Sequence, residues 1–257
     1  KHAEKMFRAP HFVESDVTDE SVLKWFAGRG ISRTTLAAFH VKSGPAWMHG
    51  PNGGGNVNCI QFPFYLDGKV VNVKYRTGDK RFRQEKNAVK CLFNYDMALK
   101  STSDTLLITE GEMDCLALYE AGFQGVVSVP DGAPSLDAKT YASKFDFLPG
   151  AEPLFEKFRY VALAVDNDAP GKKLEEELAR RIGLDKCLKV LWPEGCKDAN
   201  DVLMKHGRDE LRHCITSASF FPVDGVKDVR DLWDEMFSLH ARPENPGVET
   251  GWGNAVG

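Results

Sequence analysis

The sequence lacks the features that mark membrane, disulfide-rich and zinc-binding proteins. No apolar run approaches the roughly 20 residues that cross a bilayer, so we expect no membrane partner. The six cysteines are scattered and form no Cys-x-x-Cys pair, which favours reduced thiols over a disulfide framework. We also expect no zinc in this chain, because no standard ligand spacing is met by Cys196, His206, His213 and Cys214.

The chain also lacks an excess of positive charge. Its net charge is -4 over 257 residues, which excludes a globally basic nucleic-acid binder and leaves any such contact to a local patch. The first ten residues contain no apolar leader, and position 1 is not Met, so we expect a piece of a longer protein.

The first hundred residues predict a small α+β region. Thr18 and Ser32 are candidate N-caps of two helices with apolar faces. Residues 57–65 and 70–76 are predicted to form a β-hairpin around an Asp-Gly turn. The Gly-rich run at residues 50–55 lacks the Gly-Lys-Ser/Thr ending of a phosphate-binding P-loop. We interpret it as a loop that leads into the hairpin.

From residue 101 onward, apolar strands alternate with helices, a pattern that predicts a buried parallel sheet flanked by helices. The predicted strands are residues 105–109, 125–130, 160–165 and 187–192, and the predicted helices are residues 112–121, 135–147 and 170–182. The fold class is therefore α/β. We expect three parts: an α+β subdomain at residues 1–100, the parallel-sheet domain at residues 101–220, and a linker at residues 221–257 with an amphipathic helix at 226–241.

Acidic side chains follow three of the predicted strands. Glu110 follows the first strand, Asp166 and Asp168 follow the third, and Asp198 follows the fourth. Ligands of open α/β sheets bind outside the carboxyl ends of the strands, so we expect these side chains along one edge. Mg²⁺ prefers hard oxygen ligands and shares them with substrate phosphates. The sequence therefore predicts a site for Mg²⁺ or Mn²⁺ with these four residues as ligands.

Three of the ligands are also the predicted catalytic residues: Glu110, Asp166 and Asp168. Glu110 is either a metal ligand or the general base for an attacking hydroxyl. Taken singly, each acidic segment is explained equally well as a helix cap or a turn, but their recurrence on one sheet favours a metal. Other acidic residues lie at helix starts, where the helix dipole accounts for them; these are Glu112, Asp114 and Asp201.

A basic segment precedes the parallel sheet. Residues 69–90 carry eight basic and two acidic side chains, a local charge of +6, and their interleaved aromatic rings are typical of surfaces that stack nucleic-acid bases. A solvated hairpin would show the same charges, but the neighbouring acidic site favours phosphate contacts. Two more lysines flank the acidic residues. The predicted nucleotide- and nucleic-acid-binding residues are Lys74, Arg76, Lys80, Arg81, Arg83, Lys86, Lys172 and Lys197.

The acidic segments at residues 109–114 and 166–168 resemble the Glu and Asp-x-Asp motifs of Toprim domains, which occur in DnaG-type primases, topoisomerases, OLD-family nucleases and RecR-like proteins. Further segments are similar to the phage-type primase–helicases and the Twinkle-like replicative helicases, so the resemblance covers nearly the whole chain. These segments are residues 29–39, 74–76, 82–87, 127–134, 197–203 and 248–252.

The resemblance implies a Toprim fold preceded by a smaller N-terminal primase subdomain. It implies a DNA primase that makes RNA primers from ribonucleoside triphosphates on single-stranded DNA, with a helicase domain in the same longer chain. It places the protein inside the cell with the replication machinery. The cytoplasm of a bacterium or phage host is favoured, with mitochondria and plastids as alternatives. Some animal relatives that do not prime have lost the acidic site, which this sequence keeps at Glu110, Asp166 and Asp168.

Two other functions fit the resemblance. One is a non-priming Toprim module that binds single-stranded DNA and supports a replicative helicase ring. The other is a Toprim nuclease. A topoisomerase would need a tyrosine nucleophile in an additional domain, and none is evident in the sequence. Without the zinc module and the motor of its relatives, the fragment is expected to be a weak primase.

Overall fold

A computed structural model describes residues 19–50, 53–137 and 141–222, together with the single residues Pro10, Phe12, Trp233, Met236 and Phe237. The chain divides into two compact units, Lys1–Phe220 and Phe221–Gly257. The helices and strands that build the candidate site all lie in the first unit.

The first unit alternates between helices and strands over most of its length. Its helices are α1 (Glu20–Ala27), α2 (Arg33–Ala38), α3 (Tyr95–Lys100), α4 (Glu112–Glu120), α5 (Leu148–Lys157), α6 (Ala169–Ile182) and α7 (Ala199–Thr216). Its strands are β1 (Lys42–Gly50), β2 (Gly53–Leu66), β3 (Lys69–Arg76), β4 (Phe82–Gln84), β5 (Thr105–Thr109), β6 (Val126–Ser128), β7 (Tyr160–Ala164), β8 (Cys187–Lys189) and β9 (Ser219–Phe220).

Strands β1 to β4 form an antiparallel sheet in that order. The predicted hairpin is confirmed as β2 and β3, which turn at Asp67 and Gly68. Both turn residues have positive φ, 53° and 72°, as a tight hairpin requires. Their amides donate to the Asp96 carboxylate at 3.1 and 2.7 Å, which fixes the turn against α3.

The second sheet has the order β6-β5-β7-β8-β9, with parallel pairing through the first four strands and an antiparallel β9 at the edge. Side chains on both faces of the central strands are buried, as the adjacent residues Leu106 and Leu107 of β5 show. Helices therefore cover both faces, and the predicted α/β class with a parallel sheet is confirmed. The order places β5 beside β7, so the residues that follow these two strands are neighbours.

Strand β1 was not predicted, and the Gly-rich run next to it is largely strand rather than loop. Gly50 ends β1 and pairs with Gly53, the first residue of β2. A Cβ on Gly54 would lie 1.8 Å from the Trp47 ring, so the glycine makes room for that ring to lie across the hairpin. Pro45 made β1 difficult to predict, because proline lacks the amide that a central strand needs. Proline is tolerated here because β1 is an edge strand.

The helix predicted at residues 135–147 is wrong over the described part of that range. Only a 3₁₀ turn, Ala142–Phe145, lies there, and the α-helix begins later, at Leu148. Helix α5 was not predicted, because Pro149 and Pro153 are residues of a type that usually breaks a helix. Pro149 is in the first turn, where a helix amide needs no partner.

Both N-terminal helices are confirmed, one with a different cap. Asp19 caps α1 and accepts from the Ser21 amide at 2.9 Å; the predicted cap, Thr18, lies outside the described residues. Ser32 caps α2 as predicted. Capping satisfies amides that have no partner inside the helix.

The two sheets pack against one shared hydrophobic core. Phe93 lies at its centre, with its ring centroid 5.6 Å from that of Phe39, 5.9 Å from Phe62 and 5.3 Å from Phe64. The backbone of Phe93 also bridges to Ser128 at the end of β6. The antiparallel sheet is therefore tied directly to the carboxyl edge of the parallel sheet.

In the second unit the described residues are few. Trp233, Met236 and Phe237 are helical and exposed, and the rest of the predicted helix at 226–241 lies outside the described residues. Among the helices that the structure describes, none is both long enough and apolar enough to cross a membrane.

Candidate metal centre

Three carboxylates meet at the carboxyl edge of the parallel sheet. Asp114, Asp166 and Asp198 each offer an oxygen, and these oxygens lie within 4.8 Å of one another. Asp166 follows β7, Asp114 lies in the first turn of α4, and Asp198 caps α7. The edge was predicted, and so were two of these three residues as ligands.

Main-chain contacts hold this group in place. The Asn200 amide donates to Asp114 at 3.1 Å, and the Asp201 amide donates to Asp198 at 2.8 Å. A Cβ on Gly171 would lie 2.1 Å from the Asp166 carbonyl oxygen. Only glycine therefore lets the start of α6 approach the Asp166 main chain so closely.

Asp168 lies beside the group and is linked to it by Lys197. The Lys197 ammonium lies 2.8 Å from Asp166 and 3.0 Å from Asp168. Asp168 also caps α6, accepting from the Gly171 amide at 2.9 Å. The structure thus brings Lys197 to the acidic site, where it neutralises part of the charge, while Asp168 has a structural duty besides any role at a metal.

Glu110 lies at the same edge with one oxygen satisfied and one not. Its Oε1 accepts from the Ala133 amide at 3.3 Å, whereas Oε2 is buried and finds no hydrogen-bond partner among the described residues. Burial raises the pKa of Glu110 to about 7, and the negative charge of Asp166 adds to the shift. A buried carboxylate with a free oxygen is suited to a cation or a proton.

The other carboxylates are shifted by the same causes. Burial raises the pKa of Asp114 well above its usual range, and the charges of Asp198 and Asp166 raise it further. Burial also raises the pKa of Asp166, although Lys197 opposes the shift. For Asp168, burial acts in the same direction, but hydrogen bonds from Gly171 and Lys197 outweigh it and hold the pKa below its usual value.

The residues present fit a hard divalent cation. Every donor in the group is a carboxylate oxygen, the ligand type that Mg²⁺ and Mn²⁺ prefer, and no thiol or imidazole is near enough to favour zinc within the described residues. The buried Glu110 Oε2 without a partner adds a fourth acceptor. Asp114, Asp166 and Asp198 would hold the ion, with Glu110 and Asp168 alongside.

The raised pKa of Glu110 predicts a pH dependence of stability in EDTA. The folded protein holds this proton up to pH about 7, whereas the unfolded chain releases it near pH 4.5, so stability falls as the pH rises between those values. Glu110→Gln should remove this contribution and stabilise the protein at pH 8 by about 1 to 2 kcal/mol, with little effect at pH 4. Urea midpoints of both proteins at the two pH values would show this; an equal difference at both would contradict the shift.

A cavity of about 860 Å³ opens in front of the acidic edge, between the two sheets. Its wall includes Glu110, Asp114 and Asp166 from the parallel sheet side, and Lys74 and Arg83 from the antiparallel sheet. Acidic and basic side chains therefore face one space, which is large enough for a nucleotide.

The two predicted basic residues that line the cavity already make contacts within the fold. Lys74 is buried and donates to Glu112 at 2.8 Å and to the Pro130 carbonyl at 3.2 Å. Arg83 is half-buried, with its guanidinium 4.2 Å from the Tyr75 ring centroid. Both are already engaged within the fold, so a phosphate at the cavity would share or displace existing contacts.

The remaining predicted basic residues do not line this cavity. Arg76 is buried, with its guanidinium 4.5 Å from the Trp25 ring centroid. Arg81 pairs with Asp79 at 2.8 Å. The others are exposed, two of them near the antiparallel sheet and one on α6; these are Lys80, Lys86 and Lys172.

Asp114 is the residue that the sequence interpretation undervalued. Its place in the first turn of α4 has a sufficient explanation in the helix dipole, so nothing in the sequence distinguishes it from Glu112. In the structure the Asp114 carboxylate faces the start of α7, where the Asn200 amide donates to it. Only the packing of α7 against α4 makes that position part of the site.

Residues 104–191, which include strands β5 to β8, match the model of the Toprim domain family. The match includes Glu110, Asp114, Asp166 and Asp168, while Asp198 lies just beyond it. The recognition of a Toprim domain in a primase-type fold is thereby confirmed.

Individual relatives indicate which Toprim-containing proteins this chain resembles. The chain is 34% identical over 255 residues to the Twinkle homolog protein, chloroplastic/mitochondrial, of Arabidopsis thaliana, covering 94% of this chain and 35% of that protein. It is 39% identical over 175 residues to the Primase homolog protein of the same plant, covering 64% of this chain and 51% of the relative. The chain thus spans between about a third and a half of these relatives.

Solved structures agree on the fold. The Aquifex aeolicus primase, comprising zinc-binding and RNA polymerase domains, matches with a TM-score of 0.65 at 16% identity, over 85% of this chain and 60% of that one. A chain from a complex of bacteriophage T7 lagging-strand DNA polymerase with primase domains of two gp4 subunits, bound to an RNA/DNA hybrid and dTTP, also matches. Its TM-score is 0.57 at 26% identity, over 76% of this chain and 91% of that one.

Proposed function

We propose that this chain is the RNA-polymerase module of a primase–helicase and synthesises RNA primers on single-stranded DNA. The observation that supports this most is that Glu110, Asp114 and Asp166 line the same cavity as Lys74 and Arg83. A metal-binding edge opposite basic side chains is what the transfer of a nucleotide from its triphosphate needs.

In this proposal Asp114, Asp166 and Asp198 would hold Mg²⁺ or Mn²⁺, and Asp168 would support them through Lys197. The ion would supply neutralisation of the triphosphate charge. Glu110, with a pKa of about 7, is matched to accept the proton of a primer 3′-hydroxyl. That oxygen bonds to the α-phosphorus, and pyrophosphate leaves.

The basic side chains in this proposal position the polymer and the nucleotide. Arg83, half-buried at the cavity, would orient phosphates, which lowers the entropic cost of reaction. The exposed side chains of Lys80 and Lys86 would contact the template backbone, a sequence-independent interaction that weakens as salt rises.

We propose three parts for the whole protein to which this chain corresponds: the N-terminal α+β subdomain at residues 1–100, the Toprim domain at 101–220, and a linker at 221–257 toward a helicase domain. The partners would be single-stranded DNA, ribonucleoside triphosphates and the RNA primer. The relatives include a chloroplastic/mitochondrial Twinkle homolog and a Primase homolog protein of Arabidopsis thaliana, and a DNA primase of Clostridium acetobutylicum. We therefore propose a place in the replication machinery of a bacterium, a phage or an organelle.

A second function is favoured by the burial of Lys74 and Arg76. Because both cations are already engaged within the fold, the module would then grip single-stranded DNA through exposed residues and brace a helicase ring without priming. Incorporation of ribonucleotide on a single-stranded template separates the two functions, since only a primase shows it.

Glu110→Gln should reduce primer synthesis by about 10²- to 10⁴-fold, because the variant lacks a proton acceptor while its amide oxygen can still accept from Ala133. The assay measures incorporation of labelled ribonucleotide on a single-stranded template in the full-length protein, with and without Mg²⁺. Glu156→Gln, the same change at an exposed position of α5, is the control and should have no effect.

Two outcomes decide the proposal. Undiminished synthesis by Glu110→Gln would show that Glu110 is not catalytic. Shortening of DNA in the absence of nucleotides, with no primer made, would instead support a Toprim nuclease.

A further inference from the structure

The loop at residues 129–134, after β6, contacts both the Glu110 carboxylate and side chains of the antiparallel sheet. One end is tied to the parallel sheet, where the Val129 amide donates to the Thr109 carbonyl at 3.1 Å. Its sequence is Val-Pro-Asp-Gly-Ala-Pro. No step of the proposed reaction uses it directly.

Asp131 is the main anchor of this loop. Its Oδ1 accepts from Gln84 Nε2 at 2.9 Å, and its Oδ2 accepts from Lys90 Nζ at 2.9 Å. Lys90 donates also to the Ser143 carbonyl at 3.0 Å. Lys90 is therefore committed to holding the loop, although it lies in the basic segment.

The loop backbone is held by further side chains from outside the loop. Gln84 and Lys74 both donate to the Pro130 carbonyl, at 2.8 and 3.2 Å. Lys144 donates to the Asp131 carbonyl at 2.7 Å. Because β3 and β4 supply two of these donors, a movement of those strands would move the loop.

At its far end the loop meets Glu110. The Ala133 amide makes the one hydrogen bond that Glu110 receives within the described part of the chain, at 3.3 Å. Gly132 reaches this position with φ of +64°, a conformation that favours glycine. The place of the Ala133 amide, and with it the orientation of the carboxylate, depends on how the preceding two residues are held.

We propose that Asp131 is a positioning residue: it anchors the loop at residues 129–134 so that the Ala133 amide aims the Glu110 carboxylate at the bound cation. The inference rests on the proposed metal centre, alongside which the Glu110 carboxylate lies with one oxygen free. Partners that orient a ligand without touching the metal commonly change metal affinity 10- to 100-fold when removed. Through Gln84 and Lys74 the same loop links the metal edge to the strands proposed to contact phosphates.

The test is a double-mutant cycle on Mn²⁺ affinity, measured by electron paramagnetic resonance on the full-length protein. Asp131→Ala should weaken Mn²⁺ binding about tenfold in the native background. In the Glu110→Gln background it should weaken binding less than twofold, because the residue it acts through is already neutral. Circular dichroism of each variant verifies the fold.

Two further variants sharpen the cycle. Asp131→Asn keeps an oxygen for Gln84 but loses the charge that pairs with Lys90, so its loss of affinity should be intermediate. Asp209→Ala removes an equally paired but exposed carboxylate on α7, whose partner Arg212 lies 2.8 Å away, and should leave Mn²⁺ binding unchanged.

The outcomes distinguish the positioning role of Asp131 from the existence of the metal site. Equal losses from Asp131→Ala in both backgrounds, or no loss in either, would overturn the positioning role while leaving the metal site intact. Absence of Mn²⁺ binding by the unmodified protein would overturn the metal role of Glu110 itself, and the positioning role with it.

Discussion

Asp166→Asn should abolish measurable metal binding and reduce nucleotidyl transfer about 10³-fold, since the metal contributes several kcal/mol to stabilising the transition state. Asp166 is central because it belongs to the three-carboxylate group and also pairs with Lys197. The neutral amide keeps the shape of the side chain but is a poor ligand for Mg²⁺. Mn²⁺ titration and primer synthesis measure the two losses.

The same substitution should leave the metal-free fold intact. Burial raises the pKa of Asp166, which means that its charge is unfavourable in the folded protein without a cation. In EDTA at pH 8, we therefore expect Asp166→Asn to unfold at a urea concentration no lower than the native protein does. A marked drop would indicate that the Lys197 pair, rather than a metal, is the main purpose of Asp166.

Asp168 provides the matched comparison. Asparagine is as good an N-cap as aspartate, so Asp168→Asn keeps the bond from Gly171 and tests the charge alone. We expect a smaller loss of Mn²⁺ affinity than at Asp166, because Asp168 lies outside the group of three oxygens. Equal losses at both positions would place Asp168 among the direct ligands.

The carboxyl edge was predictable because the apolar pattern that marks each strand and its end is local in the sequence. The apolar run at β5 ends at Thr109 in both the prediction and the structure, so Glu110 falls at the edge whatever the packing is. β7 ends at Ala164, one residue before the predicted end, and Asp166 still falls at this edge. Asp114 could not be placed in this way, because its membership depends on α7 packing against α4, a contact between segments far apart in the sequence.

In the basic segment, by contrast, the local sequence pattern was a poor guide to the structure. Alternating charges predicted an exposed, phosphate-binding face, yet Lys74 is buried against Glu112, 38 residues further on. The sequence alone cannot distinguish a buried ion pair from two solvated charges, because the residue types are the same in both cases. β1 was missed for a related reason: its proline is explained only by the position of β1 at the edge of the sheet.

Lys74→Met should destabilise the protein by about 3 to 5 kcal/mol, because it leaves the Glu112 carboxylate buried without its partner. The side chains of Lys74 and Glu112 are only 11% and 5% exposed, so water cannot replace the lost ammonium. Primer synthesis would also fall, but that loss alone does not distinguish a phosphate contact from a damaged fold. Urea unfolding measures the stability term.

The double variant Lys74→Met with Glu112→Gln separates the two roles. Removing both charges of a buried pair is commonly close to neutral, so the double variant should recover most of the lost stability. If Lys74 also contacts the triphosphate, primer synthesis by the recovered protein stays low, with a raised KM for ribonucleotide. Recovery of synthesis along with stability would show that Lys74 serves only to hold Glu112 and the Pro130 carbonyl, and that phosphate binding falls to Arg83 and the exposed lysines.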